Sequence, residues 1–183
     1  MSQTLILASG SRTRSDMLKK NNIPFRQNPV DVDEDAIVAS SPKNFVYQAT
    51  KLKMEAAIQA FGADSKILCA DTVVTAQNKI LRKAKNREDA KTILLTQSGH
   101  ETSILSCTML HLPQFDLIDI SVTTYYFENF DDQNLEKYLD SNEWQGKAGA
   151  CMVEGFCKKY IKKVVGLESN AMGLPIEKVL PFL

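Results

Sequence analysis

Two short apolar runs, Leu5-Ile6-Leu7-Ala8 and Ile67-Leu68-Cys69-Ala70, each break off at polar residues, the first at Ser9-Gly10-Ser11 and the second at Asp71-Thr72. A short apolar run closed by turn-forming residues reads as a buried strand. Behind the first run, Ser11 is a natural N-cap and residues 12–21 have the makings of a helix, with Met17 and Leu18 apolar and Lys19 and Lys20 near its end. Strand, tight turn and helix in that order point to a mixed α/β chain.

The remaining segments fit that class. Asn21-Asn22-Ile23-Pro24 breaks the first helix, and Phe25-Arg26-Gln27 reads as a strand. Ser41-Pro42 opens a second helix, with Pro at the first helical position, running to about Phe61. Its expected apolar face is Phe45, Ala49, Leu52, Ala56 and Ala60. Val73-Val74-Thr75 continues as β-structure beyond Asp71, which is placed at the end of the buried run. Gln77-Asn78-Lys79 makes a turn, and a third helix spans residues 87–95. Residues 101–112 and 117–127 read as two antiparallel strands joined near Pro113-Gln114-Phe115. A helix follows over 131–141 with Asp131 as candidate N-cap, then a loop at Trp144-Gln145-Gly146-Lys147-Ala148-Gly149. A strand over 161–165 and a short helix after Gly173-Leu174-Pro175 complete the chain. The sequence shows no repeat and no linker, so residues 1–183 read as one domain.

Charge removes one class of function. The 22 basic residues are matched by 22 acidic ones, so no global basic field attracts nucleic acid, and phosphate binding has to come from a local cluster. The four cysteines, Cys69, Cys107, Cys151 and Cys157, form no CxxC pair and fit no zinc spacing. The start Met1-Ser2-Gln3-Thr4 lacks a secretory pattern, and no apolar stretch approaches the ~20 residues that span a bilayer. The expectation is a cytoplasmic protein with reduced thiols and no membrane partner.

Three segments carry candidate chemistry. In Ser9-Gly10-Ser11-Arg12-Thr13-Arg14 a strand runs into a helix N-terminus. Such a turn offers free N–H groups and the positive end of the helix dipole, and the Ser hydroxyls and Arg side chains add donors suited to phosphate. An ordinary turn before a capped helix would show the same pattern. Asp71 is a carboxylate after a buried strand, where open α/β sheets present ligands. It could hold a divalent cation, orient a water, or simply cap a turn. The acidic loop Asp31, Asp33, Glu34 and Asp35 could supply oxygen ligands to Mg²⁺ or be a solvated loop. Lys53, Lys83 and Lys147 are scattered cations that a triphosphate would recruit. Glu154, between apolar residues and Gly155, is an acceptor suited to a base edge that presents donors.

Taken together, these segments resemble the Maf family of nucleoside triphosphate pyrophosphatases. The likeness covers nearly the whole chain and rests on five segments in the family's order. These are Leu7-Ala8-Ser9-Gly10-Ser11 with Arg14, the acidic loop at 31–34, Ala70-Asp71-Thr72-Val73-Val74, Lys147-Ala148-Gly149, and Gly173-Leu174-Pro175. The resemblance implies an α/β fold with an elongated mixed β-sheet flanked by helices, and two lobes with a central cleft, as in inosine triphosphate pyrophosphatases. It implies hydrolysis of a nucleoside triphosphate to the monophosphate and pyrophosphate, possible removal of modified nucleotides, and a divalent cation, Mg²⁺ or Mn²⁺. It puts the catalytic carboxylate on Asp71 and phosphate contacts on Ser9 and Arg14, to which the hydroxyl of Ser11 in the same turn is added as an expected substrate contact. Further substrate contacts fall on Lys53, Lys83 and Lys147, and metal ligands on Glu34 and Asp71. Specificity positions fall on Thr13, Thr72 and Glu154, and a homodimer is the family's analogy.

Departures from the family pattern bear on specificity. Ser-Pro-Arg-Arg becomes Ser11-Arg12-Thr13-Arg14, and Gly-Lys-Pro becomes Arg82-Lys83-Ala84. Thr72 matches the branch acting on dTTP and UTP, whereas Glu154 with Gly155-Phe156 is closer to the branch acting on 7-methyl-GTP. The base therefore stays open. The expected reaction has the triphosphate over the first turn and a water directed by Asp71 at the α-phosphate. The alternatives are an inosine-triphosphate-type pyrophosphatase and a nucleotide-binding regulator of cell division or septum formation with little catalysis.

Overall fold

The computed structural model describes residues 4–183. Residues 1–3, on which the reading of the N-terminus partly rests, lie outside the described residues. The chain is α/β. In order it forms β1 (Leu5–Leu7), α1 (Arg12–Lys20), β2 (Phe25–Gln27), α2 (Pro42–Phe61), β3 (Ile67–Ala76), β4 (Lys79–Leu81) and α3 (Arg87–Gln97). Then follow β5 (Glu101–Leu112), β6 (Phe115–Phe127), α4 (Asp132–Ser141), β7 (Ile161–Val165), α5 (Glu168–Ala171) and α6 (Ile176–Val179). The described strands make a seven-stranded sheet in the order β2-β1-β3-β5-β6-β7, with β4 paired to β3. It is mixed: β1 is parallel to both β2 and β3, while β3–β4 and β6–β7 are antiparallel.

Local chemistry sets the helix starts. Ser11, Ser41, Asn86 and Asp131 each precede a helix in extended conformation and accept a hydrogen bond from the backbone N–H three residues on. The β3–β4 hairpin turns at Gln77 and Asn78, both with positive φ, which a tight two-residue turn between twisted strands needs.

The chain divides into two compact units. The first comprises the chain up to Thr72, Ser106–Ser121 and Leu167–Leu183; the second comprises Val73–Leu105 and Val122–Gly166. The first has a core of Leu5, Leu7, Met17, Leu18, Leu68, Leu110, Leu174 and Val179. Each such side chain removed from water contributes about 1.5–3 kcal/mol. The second is centred on aromatic rings. Phe130 packs edge-on against Phe127 and Phe156, Phe156 stacks on Tyr138, and the Trp144 indole donates to the Leu139 carbonyl.

Three expectations need correcting. On α2 the buried residues are Phe45, Val46, Ala49, Thr50, Met54 and Ala57, while Leu52 and Ala60 are exposed. Thr50 can be buried because its hydroxyl donates to the Val46 carbonyl, which turns the inward face away from Leu52. Asp71 does not end a strand: β3 runs through it as ten continuous residues. What ends there is the cover. β1 pairs with β3 only at Ile67 and Leu68, so β1 does not reach Asp71 and Thr72. Finally, Cys151 and Cys157 are joined as a disulfide, whereas free thiols were expected throughout. The Gly155 and Cys157 amides both donate to the Met152 carbonyl, and this turn brings the two Cα atoms to 6.4 Å, within disulfide reach. Cys69 and Cys107 are free and buried.

Candidate active site

The first unit gathers Ser9, Ser11, Arg14, Glu34, Lys53, Asp71 and Thr72 around the carboxyl end of β1. Parallel strands β2, β1 and β3 place the turn after β1 where open α/β sheets bind ligands. The Gln27 amide holds this turn by donating to the Ser9 carbonyl at 2.8 Å. Ser11 caps α1, and its side-chain oxygen accepts from the Arg14 amide. The helix begins there with amides that have no partner inside it.

Arg14 is the most tightly built residue of the site. Although charged, it is only 9% exposed. Its Nε donates to the Gly173 carbonyl at 2.8 Å, Nη1 to Ser9 Oγ at 3.0 Å, and Nη2 to Thr72 Oγ1 at 3.1 Å. Burial lowers its pKa, against the pull of Asp71, Cys69 and Glu34, yet a guanidinium keeps its charge at any physiological pH. Gly173 fits this arrangement for two reasons. Its φ is +97°, and a Cβ there would stand 3.3 Å from Thr72 Oγ1 and 3.4 Å from Arg14 Nη2. The Gly-Leu-Pro signature near the end of the chain thus anchors the arginine near its start.

Beside it, the Lys53 ammonium on α2 is shared between Asp71 Oδ2 and Glu34 Oε1. Burial works against the Lys53 charge, but the two carboxylates outweigh it and raise its pKa. Asp71 Oδ1 accepts from the Thr72 amide at 3.0 Å. The neighbouring Cys69 thiol is pushed up to about 12 by burial, opposed by Lys53 and Arg14, so it is an inert packing group rather than a nucleophile.

Glu34 and Asp71 are the carboxylates expected to hold a divalent cation. Sharing one ammonium, they already form a cation-attracting pair, and Mg²⁺ is commonly held by one or two carboxylates plus substrate phosphates. The donor set fits that mode. It does not fit an all-protein cage, since no group of three or more metal-ligating side chains occurs among the described residues.

Thr13 is exposed on the first turn of α1. Lys83, Lys147 and Glu154 belong to the second unit. There an antiparallel bridge pairs Lys83 with Ala148, so the segments carrying Lys83 and Lys147 are neighbours. Gly149 locks this turn: its φ is +68°, its amide donates to the Arg82 carbonyl, and its own carbonyl accepts from Gln97 at 2.6 Å. A Cβ at Gly149 would meet Val74 Cγ1 at 2.9 Å. Glu154 is exposed at the head of the turn that the Cys151–Cys157 pair closes.

Three participants escaped the sequence reading of the site. Gly173 had a signal, as part of a motif, but its partner was not visible. Gln27 and Ser106, whose hydroxyl lies 2.8 Å from Thr72 Oγ1, had none: a Gln in a short strand and a Ser in an apolar strand are ordinary.

A sequence model described as Maf-like protein matches residues 4–183. The chain belongs to the Maf family. Similar Maf proteins named nucleoside triphosphate pyrophosphatase include one from a Nitratiruptor species, 49% identical over 94% of this chain and 95% of that protein. Another, from Helicobacter pylori, is 39% identical over 98% of this chain and 94% of its own length. A third, from Campylobacter jejuni, is 38% identical over 98% of this chain and all of its own length. In Maf terms, the glycine-serine turn, the carboxylate of Ala-Asp-Thr and the Gly-Leu-Pro signature are parts of one side-chain cluster within the first unit. No described helix is long and apolar enough to cross a membrane.

Proposed function

We propose that this protein is a nucleoside triphosphate pyrophosphatase that hydrolyses the bond between the α- and β-phosphates, with Asp71 directing the attacking water. The carrying observation is the Lys53 ammonium shared by Asp71 and Glu34, next to an arginine rooted at a helix-opening turn. That combination supplies what phosphoryl transfer asks of a protein, namely positioning and charge stabilisation.

Each group has a task. Ser9 Oγ accepts from the Ser11 amide and from Arg14 Nη1, so its own proton is left to donate to a phosphate oxygen. Arg14 spends one N–H on each of three protein acceptors and keeps two of its five for an anion. Lys53 holds the Asp71 carboxylate in place and balances the charge of Glu34, so Asp71 can accept a proton from water without two carboxylates facing each other unscreened. Glu34 and Asp71 would hold the divalent cation, which when bound neutralises charge on the triphosphate. Lys83 and Lys147 are further candidates for phosphate contacts, and Thr13, Thr72 and Glu154 for base selection.

The test is pyrophosphate release across a panel of nucleoside triphosphates, including ITP and 7-methyl-GTP, with Mg²⁺ and with Mn²⁺. Asp71→Asn should fold, bind nucleotide and lose at least about a hundredfold in kcat, the lower end expected for a general base. Full turnover by that variant would remove Asp71 from the mechanism. Tight nucleotide binding by the wild type without pyrophosphate release would favour a regulator.

A further inference from the structure

Ser106 lies on β5, fully buried, with its hydroxyl in contact with two other oxygens. One is the Asn170 carbonyl at 3.0 Å, and the other is the Thr72 hydroxyl at 2.8 Å. A serine hydroxyl has one proton and a carbonyl can only accept, so the Ser106 proton belongs to Asn170. The Asn170 carbonyl also accepts from the Gly173 amide at 2.9 Å, but turning the Ser106 proton toward Thr72 would still set two buried oxygens 3.0 Å apart with lone pairs facing and no proton between them. The short contact with Thr72 is therefore filled by the Thr72 proton. On its other side Thr72 Oγ1 faces Arg14 Nη2, which can only donate. The hydrogen bonds run one way, from Arg14 to Thr72 to Ser106 to the Asn170 carbonyl.

Ser9, also bound by Arg14, has the opposite polarity. Its hydroxyl is met by two donors, the Ser11 amide at 3.3 Å and Arg14 Nη1 at 3.0 Å, so its proton is left over. Thr72 has its proton committed and only a lone pair left. A phosphate oxygen, which only accepts, can bond Ser9 but finds no donor at Thr72.

We propose that Ser106 is a positioning residue that makes Thr72 an acceptor-only contact, so that Thr72 reads an N–H or O–H group of the nucleoside while Ser9 takes phosphate. This inference rests on the pyrophosphatase reading and extends it. It orients the substrate within the first unit, phosphates toward Ser9 and nucleoside toward Thr72, and it names Ser106 as the origin of that orientation.

The test measures kcat/KM for pairs of triphosphates that differ in one donor group: GTP against ITP, ATP against purine riboside triphosphate, and ATP against dATP. In one of these pairs the wild type should prefer the member bearing the donor. Ser106→Ala frees the Thr72 proton, so it should shrink that preference by about two- to tenfold, the worth of one hydrogen bond, mostly through KM. Ser106→Thr, which keeps the hydroxyl, should restore the wild-type ratio, a recovery that a loss of packing would not produce. Should Ser106→Ala not fold, the isosteric Thr72→Val carries the same test, because it removes the acceptor and must erase the same preference. An active wild type with no donor preference in any pair, or unchanged ratios in Ser106→Ala, overturns this inference and leaves the proposed function standing. A wild type that releases no pyrophosphate from any triphosphate overturns both.

Discussion

Replacing Lys53 with Met leaves Asp71 and Glu34 facing each other without the ammonium they share. Breaking a fully buried ion pair on one side costs about 3–5 kcal/mol. Here the Lys53 and Asp71 side chains are 17% and 15% exposed and Glu34 is 40% exposed, so water and a turning Glu34 relieve part of that cost. We therefore expect a loss of about 2 kcal/mol. In a chain of this size that corresponds to a drop in Tm of roughly 4–8 °C. Asp71→Asn should cost less, about 1 kcal/mol, because Glu34 still holds the ammonium, and Glu34→Gln less again because of its exposure. The double variant Lys53→Met/Asp71→Asn should be more stable than the sum of its parts predicts, by about 1 kcal/mol. Urea titrations of the four proteins of the cycle at pH 7 give these numbers directly. The sign with pH is also fixed. The Lys53 pKa is raised above its ordinary 10.5, so its contribution is complete below that value and fades only as pH climbs through the raised one. The gap between wild type and Lys53→Met should thus be flat from pH 7 to 9. Strict additivity in the cycle, or a Lys53→Met variant as stable as wild type, would refute the shared-ammonium argument.

The other expectations are narrower. Gly173→Ala forces an unfavourable φ and crowds Thr72 and Arg14, so it should cost about 1–2 kcal/mol in urea and weaken nucleotide binding measured by calorimetry. Gly149→Ala meets Val74 Cγ1 at 2.9 Å and Cβ at 3.0 Å and should cost at least as much; adding Val74→Ala removes only the Cγ contacts, so the tight Cβ contact and the backbone strain persist and the double variant should stay less stable than Val74→Ala alone. His111 stands 2.6 Å from Asp116 Oδ1 and 2.8 Å from the Ala63 carbonyl, both acceptors, so only the doubly protonated ring donates to both. Burial opposes that charge, the Ala63 carbonyl and Asp116 outweigh it, and the pKa rises above 6.5. The stability it brings is complete below 6.5 and is lost as pH rises through the raised value, so His111→Gln should flatten the wild-type decline in melts from pH 6 upward.

Element boundaries were legible in the sequence wherever the determining contact is local. Ser11, Ser41 and Asp131 cap their helices through a bond three residues long, and the expected starts agree with the observed ones. The inward face of α2 was not legible, because burying Thr50 depends on a carbonyl one turn back, and apolar spacing alone points instead to Leu52. Nor was the setting of Asp71. Sequence shows apolar residues giving way to a carboxylate, which reads as a strand end; in three dimensions the strand continues and its neighbour stops.

Arg14 carries the same lesson further. Read along the chain, an arginine after a glycine-serine turn is a free hand for phosphate. In the folded protein it is buried, and three of its N–H groups are committed to Ser9, Thr72 and Gly173, residues spread over most of the sequence. An arginine so held cannot swing out to collect a ligand; it can only present its two remaining donors in a fixed direction. Fixing it costs the chain a buried charge, offset by the three bonds and by nearby Asp71 and Glu34. What that arrangement adds beyond binding is orientation. Because the guanidinium only donates, every hydroxyl it touches must accept, and what each hydroxyl then does with its own proton depends on its next neighbour. Ser9 has none that takes it, and Thr72 has Ser106. The polarity of Thr72 is therefore set by Ser106, the buried hydroxyl behind it, and a change at Ser106 should alter which nucleoside is chosen while leaving the charged residues untouched.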